Sequence, residues 1–513
     1  MEERNPALER SGAEESHDKR APAVAGVTFY LGLDIGTSGV KGVLLDPDGV
    51  LVAEASAPLG VSRPRPGWSE QDPEDWWRAT CAVIDALAAS HPRAVAGIAG
   101  IGLSGQMHGA TLLDRADNVL RPAILWNDGR AAAECREFET ACPASRDIAG
   151  NIAMPGFTVP KLLWVRKHEP ALFERVARVL LPKDFVRLRL TGEYVSDMSD
   201  AAGTLWLDVA RRDWSDELLA ATGLDRTHMP RLVEGTDISG TLRPEFVARW
   251  DMETPPVVAG GGGDNAASAC GIGAVRPGEG FVSLGTSGVL FVSDKAFRPN
   301  TEAAVHAFCH ALPATWHQMG VILSAADSLA WLSRLTGQAP DALTTAAGQD
   351  FAGPGEEIFL PYLSGERTPH NNARARGAFA GLSHLSDPAR MAQAVMEGVA
   401  FALRDCRRVL AEAGTGIESL VAVGGGSKSN LWLRILATNL GMEIKVLRDG
   451  DFGAAFGAAR LGLIAATGTD PFSICTAPPI AGTVAPDASL ASAYDDQYAR
   501  YRALYPAIEE ARS

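Results

Sequence analysis

The sequence predicts an α/β protein made of two related domains around a cleft, and two observations carry that reading. The pentapeptide "GTSGV" stands at residues 36–40 and again at 285–289, each time between two strand-length apolar runs. In both halves these strand–turn–strand units are followed by helical patterns and further buried strands, the order expected of α/β domains. A repeated element in a repeated context points to internal duplication.

The elements follow in order. From Val27, "VTFYLGLDIGTSGVKGVLLDPDGVLVAEAS" reads as three strands, broken at "DIGTSG" and at the turn signal "DPDG". In "DPEDWWRATCAVIDALAAS", Asp72 suits an N-cap and Pro73 the first helical position. Trp76, Val83, Ile84 and Leu87 then recur at helical spacing. "AVAGIAGIGLSG" is a buried strand opening into a loop. Residues 150–255 are mixed, with helical runs at "PKLLWVRKHEP" and "SDELLAATG", and "TPPVVAGGGGDNAASACGIG" is strand, glycine loop and helix. The second half repeats the scheme with "GFVSLGTSGVLFVSD", the long amphipathic "DPARMAQAVMEGVAFALRDCRRVLAEAG" and the strand–loop–helix "SLVAVGGGSKSNLWLRILATNLG". "GAAFGAARLGLIAATG" is a helix of small residues suited to close packing. The domains are expected at 27–273 and 274–505, after a disordered extension over 1–26.

Composition narrows the function. A net charge of −15 disfavours nucleic acid and anionic membranes as partners. No apolar run reaches transmembrane length, and the charged start has no secretory h-region, so a cytoplasmic protein is expected. The seven cysteines are scattered without any C-x-x-C, which fits reduced core residues. His306, His310 and His370 lack metal-ligand spacing and are assigned no metal.

Glycine loops at 34–39, 260–265, 285–288 and 424–427 each follow a predicted strand. Such loops let backbone N–H groups converge on phosphate oxygens, and nucleotide binding is the reading they favour together. There is no P-loop motif. "GGGDNA" fits a dinucleotide fingerprint, but Asp264 inside that turn would place its carboxylate against a pyrophosphate. Carboxylates beside glycine loops suit phosphoryl transfer, where one serves Mg²⁺ and one accepts a proton from the attacking hydroxyl. Asp34 and Asp264 are the candidates. Ser283 takes the place of Asp34 in the second copy.

"DIGTSGVKGVLLD", "GGGDNA", "SLGTSGV" and "VGGGSKSN" resemble the two phosphate motifs, the catalytic motif and the adenosine motif of the FGGY carbohydrate kinases. "PGFTVPKLLWV" (155–165) and "GAFAGLSHLSDPARMAQAVMEG" (377–398) resemble the two family signatures, with Arg390 departing from the second. The likeness runs from about residue 28 to 500 and is closest to members acting on D-xylulose, through "GQMHGATLLD", "RPAILWNDGR" and "FLPYLSGERTPHNN".

The resemblance implies two duplicated ribonuclease-H-like domains of the actin-like ATPase kind around an interdomain cleft. It also implies ATP-dependent phosphorylation of D-xylulose at its C5 hydroxyl. Asp264 then resembles the catalytic base, and Asp34 the aspartate that serves Mg²⁺ through water. Gln106, Met107, His108, Trp126, Asp128 and Asn265 resemble sugar contacts. Thr37, Ser38, Gly285, Thr286 and Ser287 resemble phosphate contacts; Gly425, Gly426 and Asn430 adenosine contacts, with Trp331 beside the base. Relatives commonly dimerise, so a homodimer is compatible. Two alternatives stay open: a kinase of another ketose or polyol, such as ribulose, glycerol or gluconate, and a non-catalytic sugar- or ATP-binding regulator.

Overall fold

The computed structural model describes residues 28–349, 351–448 and 453–512; the extension expected over 1–26 lies outside them. The first lobe opens with β1 (Phe29–Ile35), β2 (Gly39–Leu45) and β3 (Leu51–Pro58). Next come helix α1 (Pro73–Ser90) and strand β4 (Ile98–Gly105), then α2 (Pro182–Thr191), β5 (Ile238–Thr241), β6 (Val257–Ala259) and α3 (Asp264–Ile272). Asp72 caps α1 by accepting from the Glu74 N–H, and Trp76, Val83, Ile84 and Leu87 are buried, as the spacing predicts.

In the second lobe, β7 (Glu279–Leu284), β8 (Gly288–Asp294), β9 (His306–Cys309) and β10 (Trp316–Ile322) come first. They lead to α4 (Ala326–Thr336), α5 (Pro340–Gln349) and the 25-residue α6 (Pro388–Glu412). The lobe ends on β11 (Ser419–Val423), α7 (Asn430–Leu440), β12 (Ile444–Leu447), α8 (Ala454–Thr467) and β13 (Ile480–Val484).

The two sheets repeat one pattern. The first runs β3-β2-β1-β4-β6-β5 and the second β10-β8-β7-β11-β12-β13, with β9 added beyond β10. Along both paths the pairings read antiparallel, antiparallel, parallel, parallel, antiparallel. Each copy of GTSGV begins in the turn between the first two strands of its lobe. The outermost strand breaks the symmetry: β5 precedes β6 in the chain, whereas β13 follows β12.

Alternation along β1 shows how the lobes meet. Leu31, Leu33 and Ile35 point to the layer that holds α1, while Gly32 faces α8. Although α8 comes late in the second lobe's chain, it lies on β1 and β4 of the first lobe and against α3. Only glycine permits that approach. A Cβ on Gly102 would sit 1.7 Å from the Ala458 carbonyl oxygen, and one on Gly32 1.9 Å from that of Ala455. On the helix side, a Cβ on Gly457 would sit 1.7 Å from the Ala267 carbonyl. The seven cysteines are free and buried, and among the described residues no helix is long and apolar enough to cross a membrane.

Because backbone, not a flexible side chain, opposes Gly102, substitution Gly102→Ala forces α8 away from the sheet. We expect a loss of about 3 kcal/mol, at the upper end for overpacking, read as a lowered urea midpoint. Gly482→Ala, at a position with no atom within 4 Å of the added Cβ, serves as the neutral comparison.

Candidate active site

Between the lobes lies a cavity of about 310 Å³. Met107, His108, Trp126, Asp264 and Asn265 line it from the first lobe. The second lobe supplies Ser287 and Val289 from β8 and its turn, His306 and Phe308 from β9, and Met319 and Val321 from β10. The register explains this wall: Val289 is opposite Val321, and His306 opposite Met319. Arg367, from the loop beside β10, completes it.

His108 is held from every side. Its backbone has φ 70°, a left-handed conformation that costs energy without glycine and has to be imposed by its surroundings. Its carbonyl accepts from Thr158 Oγ1 (3.2 Å) and from the Nζ of the fully buried Lys161 (2.9 Å). Its Nδ1 lies 2.6 Å from the Gly203 carbonyl. A carbonyl only accepts, so Nδ1 carries the proton and Nε2 is left as an acceptor. Burial, reinforced by Lys161 and Arg367, pushes its pKa down to about 3, so the ring stays neutral at pH 7.

The first glycine turn is braced, not free. Thr37 Oγ1 donates to Gln106 Oε1 (2.9 Å) and accepts from the indole N–H of Trp126 (3.0 Å). Gln71 Nε2 donates to the Thr37 carbonyl (2.8 Å), and Gln106 Nε2 donates to Gln71 Oε1 (2.8 Å). Trp126 is 45% exposed on the cavity side of this network. Ser38 is exposed at the tip of the turn.

Two expected sugar contacts do not line this cavity. Gln106 is buried with both ends of its amide committed to the turn, and it does not line the cavity. Asp128 is buried in an ion pair with Arg130 (2.7 Å) and accepts from the Ser69 N–H (2.6 Å), also away from the cavity. Its site is structural: Arg130 also meets Glu70 at 2.7 Å and covers the Trp68 ring at 3.6 Å. "WNDGR" therefore brings Trp126 to the site and keeps Asp128 in the core.

A second cavity, of about 750 Å³, lies in the second lobe between α4, α5 and the start of α7. Gly425, Gly426 and Asn430, in and just after the fourth glycine loop, line it. Trp331 does not line it: its ring stacks on Phe359 (5.9 Å) and Phe379 (6.2 Å), in the aromatic core beneath. The second GTSGV turn docks on α4, whose Ala326 and Ala325 N–H groups donate to the carbonyls of Gly285 (2.8 Å) and Thr286 (2.9 Å). The Thr286 side chain is left exposed, and Ser287 faces the first cavity.

The carboxylates differ in their supports. Asp264 opens helix α3 instead of sitting within the loop, and Asn265 donates to its Oδ1 through both the backbone N–H (2.7 Å) and Nδ2 (2.9 Å). Burial raises its pKa. Asp34, at the end of β1, has Oδ1 buried with no hydrogen-bond partner among the described residues. Burial and the neighbouring Asp264 raise its pKa to about 7, against the pull of Ser104 and Lys41. An orphaned buried carboxylate oxygen beside a second carboxylate suits a hard divalent cation.

The sign of this shift gives a test. Unfolded Asp34 ionises near 3.8 and folded Asp34 near 7, so its ionisation costs stability as pH rises through that window. In chelator-treated protein, Asp34→Asn should raise the unfolding midpoint at pH 8 and bring a much smaller gain at pH 4.5. Equal gains at both pH values would contradict the assignment.

Comparisons with known proteins agree with this architecture. Residues 29–271 match the N-terminal domain of the FGGY family of carbohydrate kinases and residues 280–466 its C-terminal domain. The chain is similar to the xylulose kinase of Escherichia coli, with 51% identity over 93% of this chain and 98% of the relative. It is also similar to the xylulose kinase of Klebsiella pneumoniae, with 54% identity over 85% of this chain and 90% of the relative. Among solved structures, a xyloylose kinase from Brucella ovis superposes with a TM-score of 0.92 at 59% identity, covering 94% of this chain and 99% of its own. With both family domains matched in order across the two duplicated lobes, the chain belongs to the FGGY family of carbohydrate kinases.

Proposed function

We propose that this protein transfers the γ-phosphoryl group of ATP to the C5 hydroxyl of D-xylulose, forming D-xylulose 5-phosphate and ADP. The observation that carries the reading is the position of Asp264 in the interlobe cavity. Asn265 holds Oδ1, which leaves Oδ2 as the acceptor for a substrate proton. A sugar hydroxyl is too weak an acid to ionise beforehand, so Asp264 takes the proton as the O–P bond forms. The neutral His108 offers Nε2 to another sugar hydroxyl, while Met107, Phe308 and Val321 exclude water that would otherwise receive the phosphoryl group.

The first lobe, 27–273, then holds the sugar and the first phosphate turn, and the second, 274–505, holds ATP. Gly425, Gly426 and Asn430 border the adenosine, and the turns at Thr37–Ser38 and Gly285–Ser287 meet the phosphates through backbone N–H groups. Mg²⁺ would be held through water at Asp34 and would supply positive charge against the triphosphate. The buried thiols and the net charge of −15 support a cytoplasmic enzyme without nucleic-acid partners, and a homodimer is the assembly to look for.

ADP release with purified protein, over a panel of D-xylulose, D-ribulose, glycerol and gluconate, tests the reading. D-xylulose should stimulate most; stimulation by another acceptor alone would move the substrate, and by none would favour a binding protein. Asp264→Asn should lower kcat about 10²–10⁴-fold while sugar affinity, read by calorimetry, changes little. Near-normal turnover in that variant would remove Asp264 from the base role.

A further inference from the structure

We propose that Arg367, reaching into the interlobe cavity from the second lobe, donates to the C2 carbonyl oxygen of the open-chain sugar and sets the preference for a ketose. The inference rests on the phosphoryl-transfer reading above. In a 2-ketopentose the C5 hydroxyl is also the group that closes the furanose ring onto C2. A sugar whose C5 hydroxyl is free to attack phosphorus is therefore the open chain, with an exposed ketone at C2. A ketone oxygen accepts hydrogen bonds and donates none, so the cavity needs a donor for it.

The first-lobe side chains of the cavity do not fill this need well. Asp264 and His108 Nε2 are acceptors, the Trp126 N–H is engaged by Thr37, and the Asn265 amide donates to Asp264 and so stands at the base, where C5 must lie. Arg367 is different. Its one hydrogen bond from the guanidinium among the described residues runs from Nη1 to His306 Nε2 (3.2 Å), and no carboxylate forms an ion pair with it there. The adjacent Glu366 is turned away, its Oε1 accepting from the N–H groups of Leu323 (3.0 Å) and Arg367 itself (2.7 Å).

The direction of the Arg367–His306 bond is fixed from a distance. Asn151 Nδ2 donates to the carbonyls of Ala149 and Ala307, both at 2.9 Å, so its Oδ1 faces His306 Nδ1, also at 2.9 Å. That oxygen only accepts. The His306 proton is therefore on Nδ1, and Nε2 is a lone pair aimed at Arg367. The guanidinium is thus oriented by a proton-ordered chain and keeps its remaining donors for the cavity.

Its position along the cavity also matches. Arg367 meets His306 (3.2 Å), whose ring stacks on Phe308 (5.5 Å), and the Phe308 ring lies 6.4 Å from that of His108. This aromatic link ties Arg367 to the His108 side of the cavity, where the C2 carbonyl of a sugar with C5 at Asp264 would lie. A C2 alcohol would bring its own proton next to a cationic donor, which is the basis for discrimination.

The experiment compares D-xylulose with xylitol, its C2 alcohol, at saturating ATP for the unmutated protein, Arg367→Met and Arg367→Lys. Arg367→Met should raise KM for D-xylulose about 10- to 100-fold with kcat changed far less, and should collapse the ketose-over-alcohol ratio. Arg367→Lys, which keeps the charge and loses the fork, should fall between. Equal losses for both acceptors, or a loss confined to kcat, would overturn the proposal and move Arg367 to the transferring phosphate or to a purely structural role. If the Met variant does not fold, the Lys variant decides by the same ratio. An unmutated protein that does not distinguish the two acceptors overturns this proposal and leaves the kinase reading standing. One that phosphorylates neither overturns both.

Discussion

The contact on which the rest depends is backbone against backbone. Helix α8 lies on β1 and β4 so closely that the sheet contributes Gly32, Gly100 and Gly102, and the helix contributes Ala455, Ala458 and Gly462. Those two strands end in Asp34 and in the loop that carries Met107 and His108. On its other side α8 meets α3, whose first residue is Asp264. One helix from the second half of the chain thereby sets the distance between two carboxylates and a histidine that belong to the first. Close-packed interiors transmit small displacements, so slack in this layer would reach the site undiminished.

Electrostatically the site works against its surroundings. The chain carries a net −15, yet the cavity holds the Asp264 carboxylate, two uncharged histidines and one arginine, with Asp34 neighbouring Asp264, and burial favours the neutral form of both acids. Such an arrangement is strained without ligands and is relieved by cations and by hydroxyl donors, which are what the proposed reaction brings. The histidines contribute as directional acceptors with fixed tautomers, not as acids or bases.

Much of this was legible from the sequence because it depends on local pattern. The duplicated hairpins, the capped helix from Pro73, the glycine loops and the small-residue helix all follow from turn chemistry, periodicity and residue size. What pattern does not supply is the partner of a polar side chain. Gln106 and Asp128 belong to motifs rich in chemistry, but the first is taken up by a turn about seventy residues earlier and the second by Arg130. Trp331 shows the same limit for aromatic residues. The second-lobe wall was missed for the opposite reason. His306, Phe308, Met319 and Val321 have the ordinary alternation of inner strands, and only the register of β8, β10 and β9 turns them toward the first lobe. The "GERTPHNN" segment resembles its counterparts in the family as a motif; nothing in its spacing marks Arg367 as facing a cavity some 260 residues from His108.

The shared hydroxyl of Thr37 has one more consequence. It is hydrogen-bonded at once to the glutamine that braces the first glycine turn and to the tryptophan that walls the neighbouring cavity. Any ligand oxygen that competes for this hydroxyl loosens the indole, and any ligand that presses on the indole alters what the hydroxyl can offer. By thermodynamic reciprocity the two occupants must then change each other's affinity by one common factor. Under the proposed reaction, cooperativity between nucleotide and acceptor would need no wholesale lobe movement for its first increment, since this one side chain would touch both occupants.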